Sequence, residues 1–143
     1  MRVIDYGRMK YSQALKEQER LRDLRLNDEI SDTVMLLEHE HVYTIGKDRV
    51  NKQNLIKSEL NAPLVNIGRG GKITYHGPGQ LVAYLICKIP VRKIGNYVDF
   101  IENLTIDVLK EFGVNELRIP IQASRYFFSK RFFNFCSMWL KVL

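Results

Sequence analysis

A chain of 143 residues, 45% hydrophobic and 27% charged, has the composition of one globular domain long enough to bury a core. No run approaches the roughly 20 apolar residues of a membrane span. The start lacks the apolar stretch of a secretory signal, and Cys87 and Cys136 give no metal-ligand spacing. The expectation is a cytoplasmic protein without a metal. The net charge of +6 would ordinarily point to nucleic acid or an anionic membrane. Here it is local: residues 117–143 hold five of the 22 Lys and Arg and no acid, leaving 17 basic against 16 acidic side chains before them. A nucleic-acid partner is therefore not expected.

Residues 2–6 read as a short strand. Residues 10–26 read as an amphipathic helix with Tyr11, Leu15, Gln18, Leu21 and Arg25 on one face, Ala14 and Leu24 beside it, and Asn27-Asp28 as its stop. Residues 33–38 form a buried-type strand, and residues 42–45 an extended segment halted by Gly46. His39 and His41 flank Glu40 at alternate positions, but two histidines without a third ligand make a poor zinc site. A structural role is expected for His39. Residues 51–60 are polar, a short helix or loop, and residues 64–67 are a strand leading into a glycine-rich segment.

That segment, Arg69-Gly70-Gly71-Lys72-Ile73-Thr74-Tyr75-His76-Gly77-Pro78-Gly79-Gln80, holds four of the nine glycines. Glycine loses the most backbone freedom on folding, so such a cluster implies left-handed turns or close approach to the main chain. Turns are expected at Gly70-Gly71 and at Gly77-Pro78-Gly79, with residues 72–75 extended between them. Backbone N–H groups beside Arg69 and His76 would make a polar wall suited to an acyl carbonyl or an anion. The residues equally fit a hairpin whose His and Arg bond nearby carbonyls. His76 either orients a reactant or pins the Gly77-Pro78 turn, and Arg69 either attracts an anionic carrier or pairs with a carboxylate.

Residues 81–89 are almost continuously apolar, the pattern of a central strand covered on both faces, with Cys87 as a small core residue. After a loop at 90–95, Asn96 is placed to cap a helix whose stripe is Tyr97, Ile101, Leu104, Thr105, Val108 and Phe112, with Gly113 as its left-handed end. Strands and helices in this irregular order indicate an α+β (mixed α/β) domain, a single mixed sheet flanked by helices.

The glycine-rich segment, followed by Leu81-Val82-Ala83-Tyr84-Leu85-Ile86, resembles the signature of lipoyl (octanoyl) transferases. Leu36-Leu37-Glu38-His39-Glu40-His41-Val42-Tyr43-Thr44-Ile45-Gly46 resembles a second block of that family, and Gln18-Glu19 a pair in its first helix. The resemblance covers roughly residues 2–116 in order. It implies a biotin/lipoate protein ligase-like fold and no cofactor. It implies transfer of an octanoyl group from acyl carrier protein, through a cysteine acyl-enzyme, to a lysine of lipoyl domains or the glycine-cleavage H protein. By the same resemblance Arg69, Gly70, Gly71, Lys72, Ile73, Thr74, Tyr75 and His76 line the substrate site, with Lys72 turned to solvent.

Past residue 116 the resemblance stops. The family's G-K-I-A-A-I-G stretch with its functional lysine and the P-C-G setting of its nucleophile are both missing. Cys136 lies between Phe135 and Ser137, and neither the nucleophile role nor, for Lys130, the lysine role is carried over. Residues 117–143 contain five of the seven Phe and the only Trp. The division expected is a partial octanoyltransferase domain over 1–116, incomplete at its C-terminus, and an aberrant basic and aromatic tail over 117–143. The alternative function is a non-catalytic remnant that binds an acyl chain or a carrier protein. A tail that stacks on bases or lies in a membrane interface is a third, weaker reading.

Overall fold

In the computed structural model, residues 1–46, 61–67 and 73–114 are described. The expectations for residues 47–60, for Arg69 to Lys72 and for residues 115–143, including Lys130 and Cys136, lie outside the described residues.

The chain opens with β1 (Arg2–Met9) and α1 (Tyr11–Leu26), followed by β2 (Thr33–His39). β1 and β2 run parallel, which requires a crossover, and α1 supplies it. β1 extends three residues beyond the expected 2–6 because it continues through a register irregularity between Asp5 and Arg8. Gly7 occupies the left-handed region there at φ 59, and its N–H is bonded to Asp5 Oδ1 at 2.8 Å. At the far end of α1, Arg25 Nε reaches Asp32 Oδ1 at 2.6 Å, a cation in the last turn where the helix dipole favours one.

β2 is the central strand of the first sheet, whose order is β1-β2-β6. Thr33, Met35, Leu37 and His39, every second residue, are all buried on the side that faces α1. β6 (Leu81–Ile86) pairs antiparallel with β2 and sets Tyr84 opposite Met35 and Val82 opposite Leu37. With Ala14 and Leu21 of α1 these four make the core, and Tyr6, Met9, Ile30 and Ile86 pack around it. Met35→Ala is expected to cost about 2–5 kcal/mol in urea unfolding. Leu81→Ala, at a side chain 54% exposed, is expected to be close to neutral.

The second sheet has the order β4-β3-β5. β3 (Val42–Ile45) lies between β4 (Leu64–Asn66), which is parallel to it, and β5 (Thr74–His76), which is antiparallel. A 3-10 turn, Val91–Lys93, then leads into α2 (Ile94–Glu111).

The mixed α+β class expected from the sequence is the one observed. Three details differ. Among the described residues the strands form two three-stranded sheets, because β2 and β3 are separate strands flanking Glu40 and His41. β6 is an edge strand among the described residues and not a strand covered on both faces. Its apolar run hides an alternation in which Val82 and Tyr84 are buried and Leu81 is exposed. Finally, α2 starts at Ile94, since the Lys93 N–H closes a turn on the Pro90 carbonyl at 2.8 Å, and Asn96 falls inside the first helical turn.

The end of α2 follows expectation. Gly113 sits at φ 80, its N–H bonds the Lys110 carbonyl at 2.8 Å, and Val114 N–H bonds the Leu109 carbonyl at 3.1 Å, a Schellman closure. The expected stripe is only half covered: Tyr97, Ile101 and Thr105 are part-buried, whereas Leu104, Val108 and Phe112 are exposed, as is Phe100 outside the stripe. No helix among the described residues is long and apolar enough to cross a membrane.

Candidate functional site

The signature turn and the end of β2 meet between the two sheets. Gln80 N–H bonds the Gly77 carbonyl at 3.2 Å, closing a four-residue turn with Pro78 in its second place and Gly79 at φ 84 in its third. This is the pattern of a type II turn: proline pre-sets the first corner and only glycine is comfortable in the second. Glu38 of β2 holds the turn from outside. Its carboxylate accepts the Gly79 N–H at 3.0 Å and lies 3.4 Å from Arg8 Nη2. The bond from Gly79, then the Arg8 charge, keep the Glu38 carboxyl below the usual carboxylate range against the opposing effect of burial.

Strand alternation sends neighbouring signature residues to opposite faces. In the β3–β5 pairing Val42 faces His76, Tyr43 faces Tyr75 and Thr44 faces Thr74. Val42, Thr44 and His76 are buried, and Tyr75 is 37% exposed. On the outer face the Tyr75 ring packs at 5.2 Å from Tyr43, and its hydroxyl is bonded to His41 Nδ1. This pair lies directly over the backbone of Gly77. A Cβ there would stand 2.8 Å from Tyr75 Cζ and 3.1 Å from His41 Nδ1, so the pair can close over this position only while it is glycine, by close approach and not by φ. Thr74 is half-buried with a 3.4 Å contact from Thr44 Oγ1 to its carbonyl, and Ile73 is half-buried just ahead of the strand.

On the inner face the polar groups converge. The His76 ring has Nδ1 3.0 Å from Gln80 Oε1. An amide oxygen only accepts, so Nδ1 carries a proton and donates it to Gln80. Edge-on to it, with centroids 5.6 Å apart, lies His39. His39 is fully buried, with Nε2 2.8 Å from the Tyr84 hydroxyl and Nδ1 3.3 Å from the Met9 carbonyl. The Tyr11 ring closes the group at 5.2 Å from His39. Burial lowers the His39 pKa to about 4; the Met9 carbonyl opposes the shift and the proximity of His76 adds to it.

The structure thus divides the sequence-derived site. Thr74 and His76 face inward and Tyr75 outward, with Ile73 at the strand's entrance. His39 has the structural placement expected of it. His39 and His41 do not converge, and no group of three or more His, Cys, Asp or Glu among the described residues is placed to hold a metal. Cys87 is buried 3.3 Å from the Tyr97 hydroxyl, with burial raising its thiol pKa. The sequence reading missed Tyr84, Tyr11 and Glu38 as members of the site. Tyr84 carried a signal: a phenol inside an apolar strand needs a buried partner for its hydroxyl. Glu38 carried none, because its partner is a backbone N–H 41 residues away.

This arrangement of mixed sheets, crossover helix and glycine turn is the fold of a lipoate protein ligase-like catalytic domain. It superposes on the solved structure of a candidate lipoate protein ligase from T. acidophilum with a TM-score of 0.55, at 15% identity, covering 84% of this chain and 54% of that one. The same protein with bound lipoic acid superposes with a TM-score of 0.54. The chain belongs to the lipoyl protein ligase A/B catalytic domain family, whose model matches residues 10–122. It is 43% identical over 110 residues to an octanoyltransferase of Thermobifida fusca, covering 76% of this chain and 46% of the relative. It is 44% identical over 118 residues to an octanoyltransferase of Dictyoglomus turgidum, covering 78% and 50%. The chain spans about half the length of these curated relatives.

Proposed function

We propose that the chain supplies the acyl-binding part of an octanoyltransferase, taking an octanoyl group from acyl carrier protein for delivery to a lysine of a lipoyl domain or of the glycine-cleavage H protein. The observation that carries this reading is the Gly77 backbone packed beneath the Tyr75–His41 pair with His76 buried behind it, in a chain of the lipoyl protein ligase A/B family. In the proposed reaction a cysteine thiolate attacks the octanoyl thioester and expels the carrier thiolate. The lysine amine then attacks the acyl-enzyme carbonyl, expels the cysteine thiolate and loses a proton. Residues Arg69 to His76 are the proposed substrate-binding segment. Within it the buried His76 imidazole is the proposed polar contact for the reacting group.

A second reading is a non-catalytic module that binds the octanoyl carrier. It is favoured by one feature: residues 117–143 match neither the functional lysine stretch nor the P-C-G setting of the family. Incubation with octanoyl-acyl carrier protein, followed by intact-mass spectrometry, separates the two. A hydroxylamine-labile octanoyl adduct on a cysteine is the result expected of a transferase. Saturable carrier binding without an adduct selects the binding module, and neither adduct nor binding overturns both.

A further inference from the structure

We infer that His39 is a positioning residue for His76, locked as the Nδ1–H tautomer between the Met9 carbonyl and the Tyr84 hydroxyl. The hydrogen bonds determine the tautomer. A carbonyl oxygen only accepts, so His39 Nδ1, 3.3 Å from the Met9 oxygen, is the donor. In a neutral ring Nε2 is then the acceptor, and the Tyr84 hydroxyl 2.8 Å away donates to it. Full burial favours the neutral form, because an imidazolium there is stripped of its hydration.

The ring is held in its plane as well as at its nitrogens. Tyr11 stands 5.2 Å away at 49°, and Tyr84 5.9 Å away at 61°. The remaining contact is with His76, edge to face at 5.6 Å and 65°. Gln80 bonds the His76 ring at Nδ1. His39 supplies packing against the His76 ring, and its position is itself set by three strands: β1 through Met9, β2 through its own backbone and β6 through Tyr84. The placement of the His76 ring is thereby tied to the first sheet, although His76 belongs to the second. A charged His39 would also place a cation against the ring, making protonation of His76 during a reaction harder. The functional consequence rests on the acyl-transfer reading; the tautomer and the coupling do not.

The chain has three histidines, so long-range 15N–1H spectra of the intact protein resolve each imidazole tautomer. His39 is expected as the Nδ1–H tautomer at pH 7, with its signals unchanged between pH 7 and 5.5. Tyr84→Phe keeps the ring and removes the hydroxyl. It is expected to mix the His39 tautomers and to move the His76 ring signals. It is also expected to weaken octanoyl-acyl carrier protein binding about fivefold, the equivalent of one hydrogen bond. His39→Gln, which keeps an acceptor for Tyr84 without a ring, is expected to move the His76 signals further.

An Nε2–H tautomer at His39, or an ordinary titration near pH 6.5, would overturn the inference. So would His76 signals that stay at their wild-type positions in both variants while the backbone spectrum shows a folded protein. Should the wild-type protein fail to bind the carrier, the proposed function fails while the His76 signals still decide this inference.

Discussion

Acidification from pH 7 to 4 is expected to remove on the order of 3 kcal/mol of folding stability through His39 alone. The folded-state value lies at about 4 against an ordinary 6.5, so the unfolded chain takes up the proton first. The contribution is therefore complete above pH 6.5, declines as the pH falls through the window and levels off below pH 4. Burial is the main cause, since a charged imidazole in this site has given up water for one carbonyl and one hydroxyl. Urea unfolding at pH 7, 6, 5 and 4 measures the effect, with His39→Gln as the reference that lacks the titrating group. Carboxylates act on both proteins alike. Glu17, held at about 2 chiefly by its bonds from Arg20, adds its own loss only toward the acid end of the range. Parallel stability curves for wild type and variant would show that His39 is not buried as a neutral ring.

Gly77→Ala is expected to abolish the Tyr75–His41 pairing and to weaken octanoyl-acyl carrier protein binding about tenfold, equivalent to about 1.4 kcal/mol of binding free energy. The backbone itself accepts alanine, because Gly77 is not among the positive-φ glycines. What fails is space: the new methyl would lie 2.8 Å from Tyr75 Cζ and 3.1 Å from His41 Nδ1. Tyr75 is a partly exposed side chain and is free to swing outward, so the change in stability is expected to stay within about 1 kcal/mol. Gly79→Ala gives the opposite pattern. Nothing lies within 4 Å of its Cβ, but φ 84 is strained for any other residue, so stability falls while the Tyr75–His41 pair remains. Aromatic 1H spectra report the pair, and carrier titration reports binding. Wild-type affinity and unshifted Tyr75 signals in Gly77→Ala would refute the close-approach argument.

The exposed side of α2 shows why local pattern is an incomplete guide. Tyr97, Ile101, Leu104, Thr105, Val108 and Phe112 form a legible helical stripe, and the helix is there. Which edge of so broad a stripe is covered depends on what packs against it. Leu104, Val108 and Phe112 fall outside the contact, with Phe100 beside them. β6 teaches the same lesson from the other direction. An unbroken apolar run is compatible with two covered faces or with one, and only pairing to β2 reveals that it is an edge strand among the described residues.

By itself the sequence determined what local chemistry dictates: the helix from Tyr11 to Leu26, the turn at Gly77-Pro78-Gly79, the left-handed stop at Gly113 and the mixed α+β class. These follow from periodicity and from residues with narrow backbone preferences, so no distant partner is needed to read them. The tertiary structure alone decided that His39, Tyr84, Tyr11 and His76 form one buried cluster and that Tyr75 turns away from it. That outcome depends on strand register across two sheets. A shift of one residue exchanges the faces of a strand, and register is set by pairing between segments far apart in the chain.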